Sequence, residues 1–238
     1  PGKARVALVH ARPYLPIVAV ICALLALWLA WSGWRQMQDD SRRAALEQGR
    51  DSAAQSAQRV LKGDLDKLVE RLASEDVQAA LAAGDLAAAG TALGKGWSGV
   101  QESSVLPPDL QDAYEGLPKS GFGRIAVLEA AMTEGKPVLW AIRADGKPAI
   151  ALAAPARAGD ALAGIALVRL PLARATLGLQ NATLPDDSYL ALRQGSFTLF
   201  ERGDASLAQG AERRAVSING TGLRVAAAVP APVISPFG

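Results

Sequence analysis

Hydrophobic and polar positions follow three different rhythms along this chain. From Pro13 to Trp34 there is no rhythm: PYLPIVAVICALLALWLAWSGW runs for 22 residues without a charge. About 20 apolar residues in a helix match the hydrocarbon thickness of a bilayer, so the stretch predicts a transmembrane helix. A cleaved secretory signal would have a shorter apolar core and small residues at its end, where this run has tryptophan. From Arg35 to Ala83 the period is helical. Ala54, Ala57, Leu61, Leu65, Leu68 and Leu72 fall on one face, and mixed charges such as Arg59, Lys62, Asp66 and Glu70 occupy the others. This predicts one long helix or two nearly end to end, either a stalk that pairs with a second copy or a helix lying on its own domain. From Pro137 the period shortens. PVLWAIR, PAIALAAPA and ALAGIALVRL are separated by the turn strings ADGK and RAGD, as in antiparallel hairpins.

Between these regions, Asp85 is an N-cap for a short helix from Leu86 to Leu93. A turn of helix is expected from Pro108 to Tyr114, and a further helix from Gly121 to Thr133. A short helix around Pro171 to Leu179 precedes two more hairpins. SYLALRQ and SFTLFER meet near Gly195, and RRAVSI and LRVAAAV meet through Asn219 to Gly222. The expected fold class is α+β: a transmembrane helix, a long helical stalk, and an antiparallel sheet of about six to seven strands. The expected division is a tail over 1–12, the span over 13–34, helices over 35–96, a sheet domain over 97–229, and a linker from 230. A start at Pro1 and an end in PAPVISPFG read as a piece of a longer protein.

Lys3, Arg5 and Arg12 precede the span and Arg35 alone follows it closely, which places the N-terminus in the cytoplasm and the main domain outside it. In a bacterial cell that means the inner membrane and the periplasm. Trp28, Trp31 and Trp34 recur every three residues at the outer end, as membrane-interface anchors do. Once the span and its tail are set aside, about 200 residues remain, enough for one domain or two small ones.

Composition then removes several chemistries. Lys and Arg number 25 against 23 Asp and Glu, with no basic stripe interleaved with aromatics, so no nucleic-acid surface is expected. The only histidine is His10, in the tail, and the only cysteine is Cys22, in the span. A His/Cys metal centre and a histidine-dependent triad are both excluded from the outer domain. No G-x-S-x-G elbow occurs, and Asp39-Asp40 and Asp186-Asp187 are adjacent pairs whose side chains diverge. No catalytic residue and no cofactor are expected in this chain.

Three positions stand out as candidates for a ligand pocket. Strand alternation puts Val138, Trp140 and Ile142 on one face, and Trp140 is the largest aromatic in an outer-domain strand. Arg169 shares a face with Ile165 and Leu167, where a cation could hold a small acid. Tyr189 opens a strand with a hydroxyl to offer.

Long helix, short helix and antiparallel sheet with a helical crossover resemble the Cache fold, an extracytoplasmic relative of PAS domains. The run PAIALAAPARAGDALAGIALVRLPLARA (Pro148 to Ala175) carries most of that resemblance. Several segments also resemble the membrane-anchored N-terminal region of long-form bacterial phosphomannomutase/phosphoglucomutase. They are VQAALAAGDLAAAGTALGKGW (Val77 to Trp97), LPPDLQDAY (Leu106 to Tyr114), GFGRIAVLEAA (Gly121 to Ala131), APARAGDALAGIALVRLPLA (Ala154 to Ala173) and YLALRQGSFTLFERGD (Tyr189 to Asp204). This second resemblance implies a phosphohexomutase parent that uses a phosphoserine and Mg²⁺. The T-A-S-H-N-P and D-G-D-x-D-R loops of such enzymes do not occur in these 238 residues. Catalysis would then lie beyond Gly238, behind a second span, and this chain would anchor, dimerise or regulate. The Cache resemblance alone implies instead a small-molecule sensor domain of a chemoreceptor or sensor kinase. Partners on either reading are the lipid bilayer, a second copy through the stalk, and a small acidic or sugar-phosphate ligand.

Overall fold

A computed structural model of the chain describes residues 15–115 and 122–231. The tail over 1–12, Pro13, Gly121 and the end of the expected linker lie outside those residues. The chain divides into two compact units, and Leu46 to Pro230 forms the one that contains both sheets.

Helix α1, Leu15–Leu72, runs without a break. Over its first part Trp28, Trp31 and Trp34 are 51%, 59% and 63% exposed, and the Arg35 guanidinium stacks 5.1 Å from the Trp31 ring centre. This is the one helix among the described residues long and apolar enough to cross a membrane, and none of its apolar window is buried. From Leu46 onward the buried hydrophobic positions are Leu46, Ala53, Ala54, Ala57, Leu61 and Leu68, one stripe at helical spacing. The helix stops at Leu72. There Ser74 donates to the Arg71 carbonyl at 2.6 Å, and α2, Glu75–Ala82, begins with Glu75 and Asp76 in its positively polarised first turn. Helix α3, Leu86–Gly94, follows, and the Asp85 carboxylate accepts from the Ala88 amide at 2.9 Å as its N-cap.

Among the described residues eight strands form two four-stranded antiparallel sheets, where the sequence predicts six to seven strands in one sheet. Sheet A has the order β1-β4-β3-β2, from β1 (Glu102–Leu106), β2 (Val138–Ala144), β3 (Lys147–Ala158) and β4 (Ala161–Pro171). Helices α4, Gln111–Glu115, and α5, Phe122–Glu134, lie between β1 and β2 in sequence. Helix α6, Ala173–Gln180, then leads to sheet B, order β6-β5-β8-β7. Its strands are β5 (Tyr189–Gln194), β6 (Phe197–Gly203), β7 (Val216–Ile218) and β8 (Leu223–Ala228). A short 3₁₀ turn and helix α7, Ala208–Glu212, connect β6 to β7.

Alternation along each strand sorts the core into three layers. Leu139, Ile150, Leu152 and Val168 of sheet A join Leu190, Leu192, Val225 and Ala227 of sheet B in one core against α1. On the other face of sheet A, Ile142, Ala151, Ala153, Ile165 and Leu167 pack against Ile125, Val127, Leu128 and Ala131 of α5. On the other face of sheet B, Tyr189, Ala191, Ala226 and Ala228 pack under Ala211 of α7. Strands β3, β4, β5 and β8 are therefore covered on both faces, which accounts for their reading as nearly continuous apolar runs, whereas the edge strand β6 stays largely exposed.

Helix α6 runs antiparallel to α1 and meets it closely at Arg174 and Gly178, as does Thr183 just beyond its end. Arg174 forms a two-pronged ion pair with Asp64, which is only 2% exposed. Gly178 sits where any Cβ would lie 2.7 Å from the Ser56 hydroxyl oxygen, and Gly49 where a Cβ would overlap the Thr183 carbonyl.

Candidate functional site

The polar groups on the α5 side of sheet A gather at one end of a face that is otherwise apolar. Residues directly opposite in an antiparallel pair share a face. Glu102 of β1 is opposite Arg169 of β4, and Ser104 is opposite Leu167. The two-residue turn Asp145-Gly146 joins β2 to β3, with φ of 52° and 76°, and brings the Asp145 carboxylate beside the same end. Such a turn needs two left-handed residues, which is why Asp-Gly was legible as a hairpin turn. From above, Gly123 lets α5 approach β2 so closely that a Cβ there would lie 3.2 Å from the Ile142 Cβ. The next residue, Arg124, reaches Glu102.

These groups surround a cleft of about 230 Å³ formed by Glu102, Arg124, Ile142, Ala144, Asp145, Leu167 and Arg169. Arg124 Nη1 is 2.8 Å from Glu102 Oε1, while Arg169 Nε is 3.5 Å from the other oxygen, Oε2. Arg169 Nη1 is also 3.4 Å from Asp145 Oδ2. Both arginine side chains are 22% exposed and Glu102 is 26% exposed, whereas Asp145 is 81% exposed. A solvated carboxylate offsets little of a neighbouring charge. The inner three groups thus carry one uncompensated positive charge.

The hydrogen-bond inventory points the same way. Six buried side-chain polar atoms among the described residues lack a hydrogen-bond partner: Arg124 Nε is at this corner, Ser104 Oγ is on the same face beside it, and Arg169 Nε has there only its long 3.5 Å ion-pair contact with Glu102. Buried donors are nearly always paired, so an unpaired one beside a cleft marks where an acceptor fits. With two guanidiniums, a hydroxyl on the same face and a floor of Ile142 and Leu167, the corner suits a small anion with an apolar body. Its volume is below the roughly 300 Å³ at which drug-sized pockets begin.

Of the three residues singled out from sequence, Arg169 alone is part of this wall. Trp140 is on the same face but packs against the α5 core, two positions along β2 from Ile142. Tyr189 belongs to sheet B, is 1% exposed, and donates its hydroxyl proton to Glu201 Oε2 at 2.8 Å. The structure does not bring the three together. Sequence reasoning misses Glu102, Arg124 and Asp145: with Arg169 they converge from four separate parts of the chain, β1, α5, the β2–β3 turn and β4. The only local hint was a charge, Arg124, inside the apolar run FGRIAVLEAA. Among the described residues no group of three or more His, Cys, Asp or Glu side chains is placed to hold a metal ion.

No family model and no curated protein matches this chain. Among solved structures it is similar to the sensor domain of the V. cholerae histidine kinase DctB. The TM-score is 0.48 and the identity 10%, over 83% of this chain and 98% of that one.

Proposed function

We propose that this chain is a membrane-anchored, extracytoplasmic sensing module that binds a small organic anion in the cleft between α5 and sheet A. The observation that carries this reading is the pair Arg124 and Arg169 astride a single Glu102, with the buried Arg124 Nε left without a hydrogen-bond partner. A carboxylate or phosphoryl group entering there gains charge-assisted hydrogen bonds from guanidiniums already held in place. The span of α1 supplies the anchor, with Trp28, Trp31 and Trp34 at the outer headgroup level and the N-terminus in the cytoplasm. Pairing of two copies through α1 belongs to the same reading and is checked by cross-linking in membranes.

The test is calorimetric titration of the full chain in lipid nanodiscs with a panel of short carboxylates, hydroxy acids and hexose phosphates. Saturable binding of one class, weakened at least tenfold by both Arg169→Gln and Arg124→Gln, supports the reading. A folded chain that binds none of the panel overturns it. A response confined to hexose phosphates favours the phosphohexomutase resemblance and a regulatory role beside such an enzyme.

A further inference from the structure

A second cluster repeats the arrangement on the outer face of sheet B. Arg193 of β5 and Arg224 of β8 are directly opposite each other in the ladder, on one face. Like charges so placed repel unless an anion sits between them. Here the anion is Glu212, the last residue of α7. Arg193 Nη1 donates to Glu212 Oε2 at 2.8 Å, while Arg224 Nη2 is ion-paired with Glu212 Oε1 and donates to the Gly195 carbonyl at 2.7 Å. Arg193 is steadied from the other side, since its Nη2 donates to the Tyr189 hydroxyl at 3.3 Å.

Two features distinguish this from an ordinary surface ion pair. The Arg193 and Arg224 side chains are only 16% and 33% exposed, and the Nε atom of each is buried without a partner. Glu201 lies on the same face and accepts from the Tyr189 hydroxyl, so the charges of the cluster balance and a free carboxylate has to take the place of Glu212 rather than join it. The packing beneath is made mostly of small side chains, Ala191, Ala211, Ala226 and Ala228 around Tyr189, with Leu207, Ala208 and Ala215 at its edge. Glu212 reaches the arginines from a helix of only five residues. A helix this short, held by alanines and one leucine, opens at lower cost than the strands beneath it.

We propose that the outer face of sheet B is a second small-carboxylate site, filled by the chain's own Glu212, from which a free carboxylate displaces α7. The site stands on Arg193 and Arg224 and is independent of the cleft in sheet A.

Acetate is the probe, with chloride at equal ionic strength as control, on the full chain in nanodiscs. Glu212→Ala removes the resident carboxylate. Acetate is expected to raise the unfolding temperature of that variant by several degrees more than it raises wild type. The added response should vanish in the double variant Glu212→Ala/Arg193→Gln. Any acetate bound in sheet A affects wild type equally and cancels in the comparison. In wild type, acetate is expected to speed amide exchange across 205–213, as Glu212 gives up its place. The proposal is overturned if Glu212→Ala gains no more than wild type, or if the double variant keeps the gain. Should the variant not fold, unchanged exchange over 205–213 in wild type at saturating acetate overturns it alone.

Discussion

Gln194 pairs with both backbone groups of Ala141: its Oε1 accepts from the Ala141 amide at 2.7 Å, and its Nε2 donates to the Ala141 carbonyl at 2.9 Å. Ala141 lies on β2, an edge of sheet A, and Gln194 ends β5 of sheet B. Gln194 is the third residue, after Leu190 and Leu192, on the face of β5 that joins the common core. A side-chain amide there does what a further strand would do: it closes an open edge. Replacing Gln194 with alanine is expected to cost about 1–3 kcal/mol, because two half-buried backbone groups lose their partners. Exchange of the Ala141 amide should quicken correspondingly. Gln194→Glu keeps the acceptor but removes the donor, and should fall between the two in urea denaturation.

The Asp64–Arg174 pair predicts an asymmetric result. Arg174→Met leaves the buried Asp64 charge alone and is expected to lower stability by about 3–5 kcal/mol, whereas Asp64→Asn leaves an arginine that is 35% exposed and should cost less. The double variant Asp64→Leu/Arg174→Met should recover most of that loss, because it removes both charges together. Urea unfolding of the three variants checks the order.

Two glycines with positive φ separate backbone strain from overlap. Gly146, φ 76°, has open space around it, so Gly146→Ala should cost about 1–2 kcal/mol from the left-handed conformation alone. Gly203, φ 89°, adds overlap with the Ser188 carbonyl and its neighbours. Gly203→Ala should therefore be the more damaging of the two by thermal unfolding.

Glu102 competes with any anion for the two arginines of the cleft in sheet A. Glu102→Gln is expected to tighten anion binding about tenfold, or ~1.4 kcal/mol, by calorimetry. A loss of affinity instead would mean that Glu102 chiefly positions the guanidiniums.

Burial pushes the Tyr189 hydroxyl above its usual pKa of 10.0, with Arg193 opposing and Glu201 reinforcing the shift. The unfolded tyrosine ionises first, so its contribution is intact below pH 10 and declines as pH rises toward the folded value. Stability measured from pH 8 to 11 should fall less steeply in Tyr189→Phe than in wild type.

What could be read along the chain was local. The Asp145-Gly146 turn, the Asp85 cap and the alternation that sets Val138, Trp140 and Ile142 on one face all follow from neighbours in sequence. Strand β1 escaped because ESSVL is short, polar at its start and flanked by glycine and proline. Its place is set by pairing with β4, more than 50 residues away. The division into two sheets escaped for a related reason. Hairpin signals say which strands are neighbours, whereas α6, which carries the chain from β4 to β5, determines that those two strands do not pair. Arg169 was visible as a charge among apolar residues. That Glu102, Arg124 and Asp145 would meet it depends on where α5 rests on the sheet, and no spacing encodes that.

The stripe from Leu46 to Leu68 has a practical corollary. These residues supply one wall of the core that both sheets share. A soluble fragment cut after Leu72, where the helix ends, would leave Leu152, Val168, Leu190 and Val225 bare to water and invite aggregation. Domain swaps and expression fragments made from this protein have to begin before Leu46, inside a continuous helix rather than at either of its ends.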